Sequence, residues 1–263
     1  MKLAAQEGMI PGRDLHEKLA NMEKLGFEGL ETWGAEIWNR ERELRDALAN
    51  SRVKLSTICA GYRGCVLDPD PKQRQQAIDD IKRILDVAGA LGAVGLIFVP
   101  IFGGPRIPDL SPLKDAIALE KELLVKILKE LAPHAKAAGT CILVEPLNRY
   151  ETHLLRRLAD GAEICEQVKH PNVQLMADFF HMSIEEPCIA ESIRAAGKWI
   201  KHIHLADSTR TQPGTGHTDF KEGFKALKSV GFGNYMALEC GITGADRMKS
   251  LANCVKYLKN RMK

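Results

Sequence analysis

Four ionisable side chains stand at or near the ends of four successive apolar runs. Glu145 closes ILVE, Asp178 closes VQLMAD, His204 lies in HIHLAD and Glu239 closes YMALE. Strands buried on both faces read as continuous apolar runs, so a charged residue at the same depth in each of four is informative. Three carboxylates gathered at one point repel each other, and a divalent cation removes that repulsion. The mixed oxygen and nitrogen donors suit Mn²⁺ first, with Mg²⁺, Co²⁺ or Zn²⁺ as alternatives, and no thiolate set accompanies them. One such residue alone is more often a cap or a loop anchor. Four in register would need four unrelated explanations, and a shared metal needs one.

The residues around this quartet add further candidates. His181 follows Asp178 by three residues in DFFHM, close enough to face the same cavity, although a helix-capping role would fit the spacing equally well. Arg210 follows the seventh apolar run in ADSTR, and Glu151 follows the fifth in EPLNRYETH; either could be an ordinary solvated charge. Glu31, ending GLETW, is a fifth carboxylate of this kind, placed to contact substrate or to brace the fold. In PGTGHTDF, Gly214 and Gly216 would let backbone approach a ligand, and Asp219 would cap the next helix.

Positioning these groups requires strands that end together. About eight short apolar runs alternate with longer amphipathic ones: Leu3–Gln6, Gly29–Trp33, Leu55–Ala60, Gly95–Val99, Ile142–Glu145, Val173–Asp178, His202–Ala206 and Tyr235–Glu239. Gly26, Gly92, Gly139, Gly197 and Gly231 stand where a helix gives way to the next strand, a position that favours positive φ. Asp70, Pro71 and Gln73 read as N-cap, first helical residue and capping-box partner, and Ser111-Pro112 reads as another helix start. Eight strand–helix units predict a single (β/α)₈ TIM barrel over residues 1–263, whose C-terminal strand ends converge on one mouth. A doubly wound open sheet is the alternative, and no GxGxxG follows the first strand to support a dinucleotide fold.

The composition removes other classes. The chain has 263 residues, 45% hydrophobic and 27% charged, with a formal charge of +3 spread along its length. No clustered basic face marks a nucleic-acid partner. The N-terminal stretch lacks an apolar h-region, and the apolar run 93–102 is too short to cross a bilayer, so no membrane association and a cytoplasmic location are expected. Seven cysteines without a CxxC pair suit small buried hydrophobes in a reducing compartment.

EPLNRYETH, ADFFHMSIEE, HIHLADSTRTQPGTGHTDF and YMALEC resemble the xylose-isomerase-like TIM-barrel superfamily of sugar isomerases and epimerases, and within it the ketose 3-epimerases (tagatose and allulose 3-epimerases and a 5-keto-gluconate epimerase). The similarity extends over almost the whole barrel. It implies that Glu145, Asp178, His204 and Glu239 hold the metal, that Glu145 and Glu239 are also the catalytic acid/base pair, and that His181, Arg210 and Glu151 contact substrate. It implies proton abstraction next to the carbonyl of a keto-sugar or sugar acid, free or phosphorylated, through a metal-stabilised cis-enediolate. A homo-oligomer, dimer or tetramer, is compatible with it. Phe179-Phe180 departs from the subgroup's Thr-Phe, and the first strand is abbreviated. A trinuclear endonuclease site of the same superfamily would need histidines in LETWGAEIW, STICAGY and LIFVPIFGG, which have none. The alternatives are a dehydratase of inosose or dehydroshikimate type, a hydroxypyruvate isomerase, and a carbohydrate-binding barrel without turnover.

Overall fold

A computed structural model describes all residues 1–263. Its eight strands are β1 (Lys2–Gln6), β2 (Gly29–Trp33), β3 (Lys54–Cys59), β4 (Gly95–Phe98), β5 (Cys141–Val144), β6 (Val173–Asp178), β7 (Ile200–Leu205) and β8 (Tyr235–Leu238). Each pairs in parallel with its neighbour, and β8 pairs with β1, closing a barrel in sequence order. The helices are α1 (Leu15–Leu25), α2 (Glu41–Ala49), α3 (Pro71–Ala90), α4 (Ala116–Ala138), α5 (Leu158–Val168), α6 (Phe179–Glu185), α7 (Ile189–Ala196), α8 (Phe220–Ser229) and α9 (Arg247–Arg261). This is a (β/α)₈ TIM barrel, as the alternation of apolar runs predicts. No helix is long and apolar enough to cross a membrane.

Side chains alternate along each strand. Leu30, Leu55, Leu175, Ile200 and Ile203 join the large apolar cluster shared with the helices. Cys59, Ala60, Ile97, Leu143 and Met176 form a separate cluster inside the barrel. Two bulges adjust this alternation. Leu30 pairs with Leu55 but Glu31 pairs with Thr57, leaving Ser56 as the extra residue of β3. Leu175 pairs with Ile200 but Met176 pairs with His202, leaving Lys201 as the extra residue of β7. Each extra residue shifts the strand's phase by one, so Thr57, His202 and His204 share the interior with Glu31 and Asp178.

Aspartates start most helices. Asp14, Asp115, Asp219 and Asp246 each accept a hydrogen bond from a first-turn amide, at 2.9, 2.8, 3.1 and 3.0 Å. Asp70 likewise accepts from Lys72 N, but its own amide donates to Asp68 instead of meeting Gln73, so no capping box forms. The helix expected from Ser111 starts only at Ala116, after the acceptor side chain of Asp115. Of the five connecting glycines, four take positive φ; Gly197 is right-handed helical at φ −54°. Gly197 answers a different constraint, because a Cβ there would lie 2.5 Å from the Val230 side chain. Cys188 is exposed, whereas Cys59, Cys65, Cys165 and Cys254 are buried as expected.

Helices α3 and α4 approach closely at Gly89, where a Cβ would sit 1.8 Å from the Ala138 carbonyl oxygen. Gly89→Leu must push α3 away from α4, and such overpacking costs about 1–3 kcal/mol. The expected result is a thermal midpoint lowered by about 2–4 °C per kcal/mol, read by circular dichroism.

Candidate active site

Asp178 and His204 reach the mouth of the barrel from the ends of β6 and β7, Glu145 and Glu239 directly follow β5 and β8, and His181 comes from α6. Glu31, Glu145, Asp178, His181 and His204 are all buried, while Glu239 keeps partial access to solvent. His204 occupies the centre. Its Nδ1 lies 3.2 Å from Glu239 Oε2, 3.8 Å from Glu145 Oε1 and 3.9 Å from Asp178 Oδ2. Its other nitrogen, Nε2, lies 2.9 Å from Glu31 Oε1. Glu31 therefore accepts from the Nε2 proton, which leaves Nδ1 as the nitrogen facing the three carboxylates.

Glu31 is a bracing residue. Besides His204 it meets His202 Nε2 at 2.9 Å, Thr57 Oγ1 at 2.6 Å and Gln6 Nε2 at 3.0 Å. Burial opposes its charge, but His204 and His202 outweigh that and hold its carboxyl well below the usual carboxylate range. Gln6 also donates to Glu239 Oε1 at 3.1 Å, which fixes the Glu239 oxygen not facing His204.

Asp178 divides its two oxygens. Oδ1 accepts from Phe180 N at 2.7 Å as the cap of α6, and Oδ2 has no hydrogen-bond partner although buried. His204 Nδ1 is likewise buried and unpartnered. Burial pushes the Glu145 carboxyl well above its ordinary value; His204 opposes the shift, and Glu239, Asp178 and Glu31 reinforce it. Two unpartnered buried atoms with lone pairs, together with carboxylates whose crowding works against ionisation, suit a divalent cation, which would coordinate the lone pairs and neutralise the charge. Glu145, Asp178, His204 and Glu239 could hold it; the trios Asp178–His204–Glu239 and Glu145–Asp178–His181 each bring ligand atoms within 4.8 Å.

The second group of candidates lies against this quartet. His181 Nδ1 accepts from Asn148 N at 3.1 Å, so its proton resides on Nε2, 3.6 Å from Asp178 Oδ2. Arg210 holds Glu151 Oε1 at 2.6 Å through Nη1, and its Nη2 lies 3.9 Å from Glu239 Oε2. Its guanidinium packs 4.8 Å from the Phe180 ring centre, and the residue adopts φ 55°. Arg210 and Glu151 are thus tied to each other beside the site and are not free loop charges. A larger cleft of about 410 Å³, lined by Lys2, Glu23, Glu28, Arg52 and Lys54, lies at the opposite end of the strands and contains none of these groups.

The glycine-bearing loop serves another purpose than the one expected. Asp207, buried, accepts from the amides of Ser208, Gly214, Thr215 and Thr218 at 2.8, 2.8, 3.1 and 3.0 Å. A Cβ on Gly216 would fall 2.4 Å from Asp207 Oδ1. Gly216 therefore admits the loop's backbone to a protein carboxylate. Sequence reasoning also passed over Gln6, His202 and Asn148. Gln6 does stand at a strand end like the others, and His202 lies two residues before His204 and so on its face.

A family model described as the xylose isomerase-like TIM barrel matches residues 19–260. The chain belongs to this family. It is 29% identical to a 3-dehydro-D-guloside 4-epimerase of Escherichia coli K12 over 98% of this chain and 99% of that protein. It is 36% identical to a D-psicose 3-epimerase of Ruminiclostridium cellulolyticum, over 85% of this chain and 76% of the relative. The solved structure of a 3-keto-D-glucoside 4-epimerase from E. coli superposes with a TM-score of 0.89 at 27% identity, covering 99% of each chain. These relatives define the enzyme class as carbohydrate epimerases, within the isomerases.

Two tests address the geometry. In Glu31→Gln an amide meets the Nε2 protons of His202 and His204, and Mn²⁺ affinity measured by calorimetry is expected to fall by about 10–100-fold, as for other residues that orient a metal-binding histidine. Asp207 works against burial, yet its amide donors hold the carboxyl below the ordinary Asp value. A lowered folded value contributes stability that is complete above the unfolded value, about 4, and is lost as pH falls through the folded one. The melting-temperature gap between wild type and Asp207→Asn should therefore be steady near neutrality and close in acid.

Proposed function

We propose that this chain is a metal-dependent epimerase of a keto-sugar or keto-sugar acid, free or phosphorylated, that inverts the carbon next to the carbonyl. The observation that carries the reading is the placement of Glu145 and Glu239. They come from β5 and β8, flank Asp178 and His204, and each brings an oxygen within 4 Å of His204 Nδ1. The names of the relatives share one chemistry: inversion at C4 beside a 3-keto group and at C3 beside a 2-keto group are both inversions next to a ketone.

Glu145, Asp178, His204 and Glu239 would hold the ion, Mn²⁺ in our reading, and when bound it supplies Lewis acidity to the substrate's carbonyl and neighbouring hydroxyl oxygens. One of Glu145 and Glu239 removes the proton from the hydroxyl-bearing carbon, leaving a planar enediolate. The other carboxylate delivers a proton to the opposite face, and in the reverse direction the roles exchange. His181, its proton fixed on Nε2 by Asn148, donates to a substrate oxygen. Arg210, aligned by Glu151, adds a second donor where negative charge develops. Returning the proton to the neighbouring carbon would give 1,2-isomerisation with the same parts, and expulsion of water would give a dehydratase.

Proton NMR in D₂O separates these outcomes. The expected result is solvent deuterium at an inverted carbon, without loss of water, dependent on added Mn²⁺ and abolished by a chelator. Glu145→Gln and Glu239→Gln should each slow the exchange by about 10²–10⁴-fold. Full exchange in either variant would remove that carboxylate from the mechanism.

A further inference from the structure

Beside the converged carboxylates, a cleft of about 290 Å³ opens between the ends of β2, β3 and β4, and the proton-transfer scheme leaves it unused. Trp33 and Phe102 form its walls and are 58% and 56% exposed. Tyr62, Val99 and Ile101 contribute to its lining. Val99 and Ile101 also line a small cavity that Glu145 borders, so the cleft lies next to the candidate site. Trp33 lies two residues beyond Glu31 on β2 and pairs with Cys59 of the barrel interior. It therefore belongs to the inward face, one step nearer the mouth.

The walls are built, not loose. The chain after Phe102 is fastened to the β5 loop by Gly103 N to Glu151 O at 2.8 Å, His153 N to Gly103 O at 3.1 Å and Thr152 Oγ1 to Ile101 O at 2.8 Å. Arg106 N donates to the buried Glu120 at 2.7 Å, and the same carboxylate meets His153 Nε2. Tyr62 donates its hydroxyl to Val99 O and stacks on Phe98. At the rim the Arg106 guanidinium is paired with Asp68 at 2.6 Å. Large aromatic faces held open on fixed backbone, with polar groups at the edge, are the makings of a ligand site. At about 290 Å³ the cleft alone approaches the lower end of small-molecule pockets, about 300 Å³. It has room for a group additional to the sugar whose carbonyl reaches Glu145 and Glu239.

We infer that the substrate is a keto-sugar bearing a ring-containing glycosidic substituent, and that Trp33, Tyr62 and Phe102 bind that substituent. The inference rests on the epimerase reading above and extends it from the reacting carbon to the remainder of the substrate. Aromatic rings lining the cleft suit the apolar face of a ring, and Arg106, held by Asp68, suits its polar edge.

The test compares three substrates with the Mn²⁺-loaded enzyme by exchange in D₂O: a phenyl 3-keto-glucopyranoside, its methyl counterpart, and a free ketohexose such as D-fructose. The phenyl glycoside is expected to exceed each of the others by about tenfold or more in kcat/KM, chiefly through KM. Trp33→Ala and Phe102→Ala should bring the phenyl-to-methyl ratio to about one, and because the ratio is taken within one variant, partial unfolding does not alter it. Leu113→Ala, on the same loop but outside the cleft, should keep the ratio. A wild-type ratio near one, or a ratio retained in both aromatic variants, overturns the inference while leaving the epimerase reading intact. Absence of Mn²⁺-dependent exchange with all three substrates overturns the epimerase reading itself, and the inference with it.

Discussion

The carboxylate of Glu31 is the interaction on which the mouth of this barrel depends. A fully buried anion is tolerated only when its lone pairs are occupied, and Glu31 draws its donors from β1, β3 and β7 at once: Gln6, Thr57, His202 and His204. The same contacts that satisfy it determine which nitrogen of His204 faces the cavity. Through Gln6 the constraint passes on to Glu239, on the neighbouring strand. One buried charge thus joins four strands and orients two of the side chains that meet at the centre.

Other buried carboxylates follow the same rule, and comparing them separates scaffold from chemistry. Asp207 is filled by loop amides, Glu120 by the amides of Arg106 and Ile107 and by His153, and Glu185 by the amide and guanidinium of Arg149. Each holds a loop at the barrel mouth. Asp178 Oδ2 and His204 Nδ1 differ: both are buried without a partner, as are Gln174 Oε1, His202 Nδ1 and Thr218 Oγ1 elsewhere, but these two lie 3.9 Å apart. Two such atoms side by side, with Glu145 and Glu239 around them, leave lone pairs suited to something that is not protein. What separates a bracing acid from one with an oxygen left open is the occupancy of its oxygens, not its residue type.

Much of this could be read in the chain beforehand, and the remainder fails for identifiable reasons. The barrel is legible because eight apolar runs alternate with amphipathic segments at strand and helix periods. The quartet is legible because charge at the end of an apolar run breaks a local rule. Glu31 breaks the same rule, yet only its contacts reveal that it serves His204. Gln6 and Asn148 are uncharged and break no rule, and their value comes from strands and loops distant in sequence. Gly214 and Gly216 signalled close backbone approach correctly, but the partner was Asp207 and not a ligand. Gly197 had the right position for a left-handed residue and a different reason for being glycine, the side chain of Val230. The aromatic cleft involves Trp33, Tyr62 and Phe102 from three separate strand ends, and no local spacing links them.

The single extra residues of β3 and β7 have a consequence beyond local geometry. A strand carries one bit of positional information, inside or outside, and every added residue inverts it for all that follow. Ser56 and Lys201 are such inversions. Upstream of them Leu55 and Ile200 face the helices; downstream, Thr57, His202 and His204 face the centre. No gradual route connects the two settings: if Lys201 were threaded into regular alternation instead of bulging, the whole tail of β7 would turn over at once and present Ile203 and Leu205 where the imidazoles now stand. Among descendants of such a chain, loops can lengthen and helices can drift by degrees, but a single residue gained in these strands must be taken up by a bulge if the inward set is to stay inward.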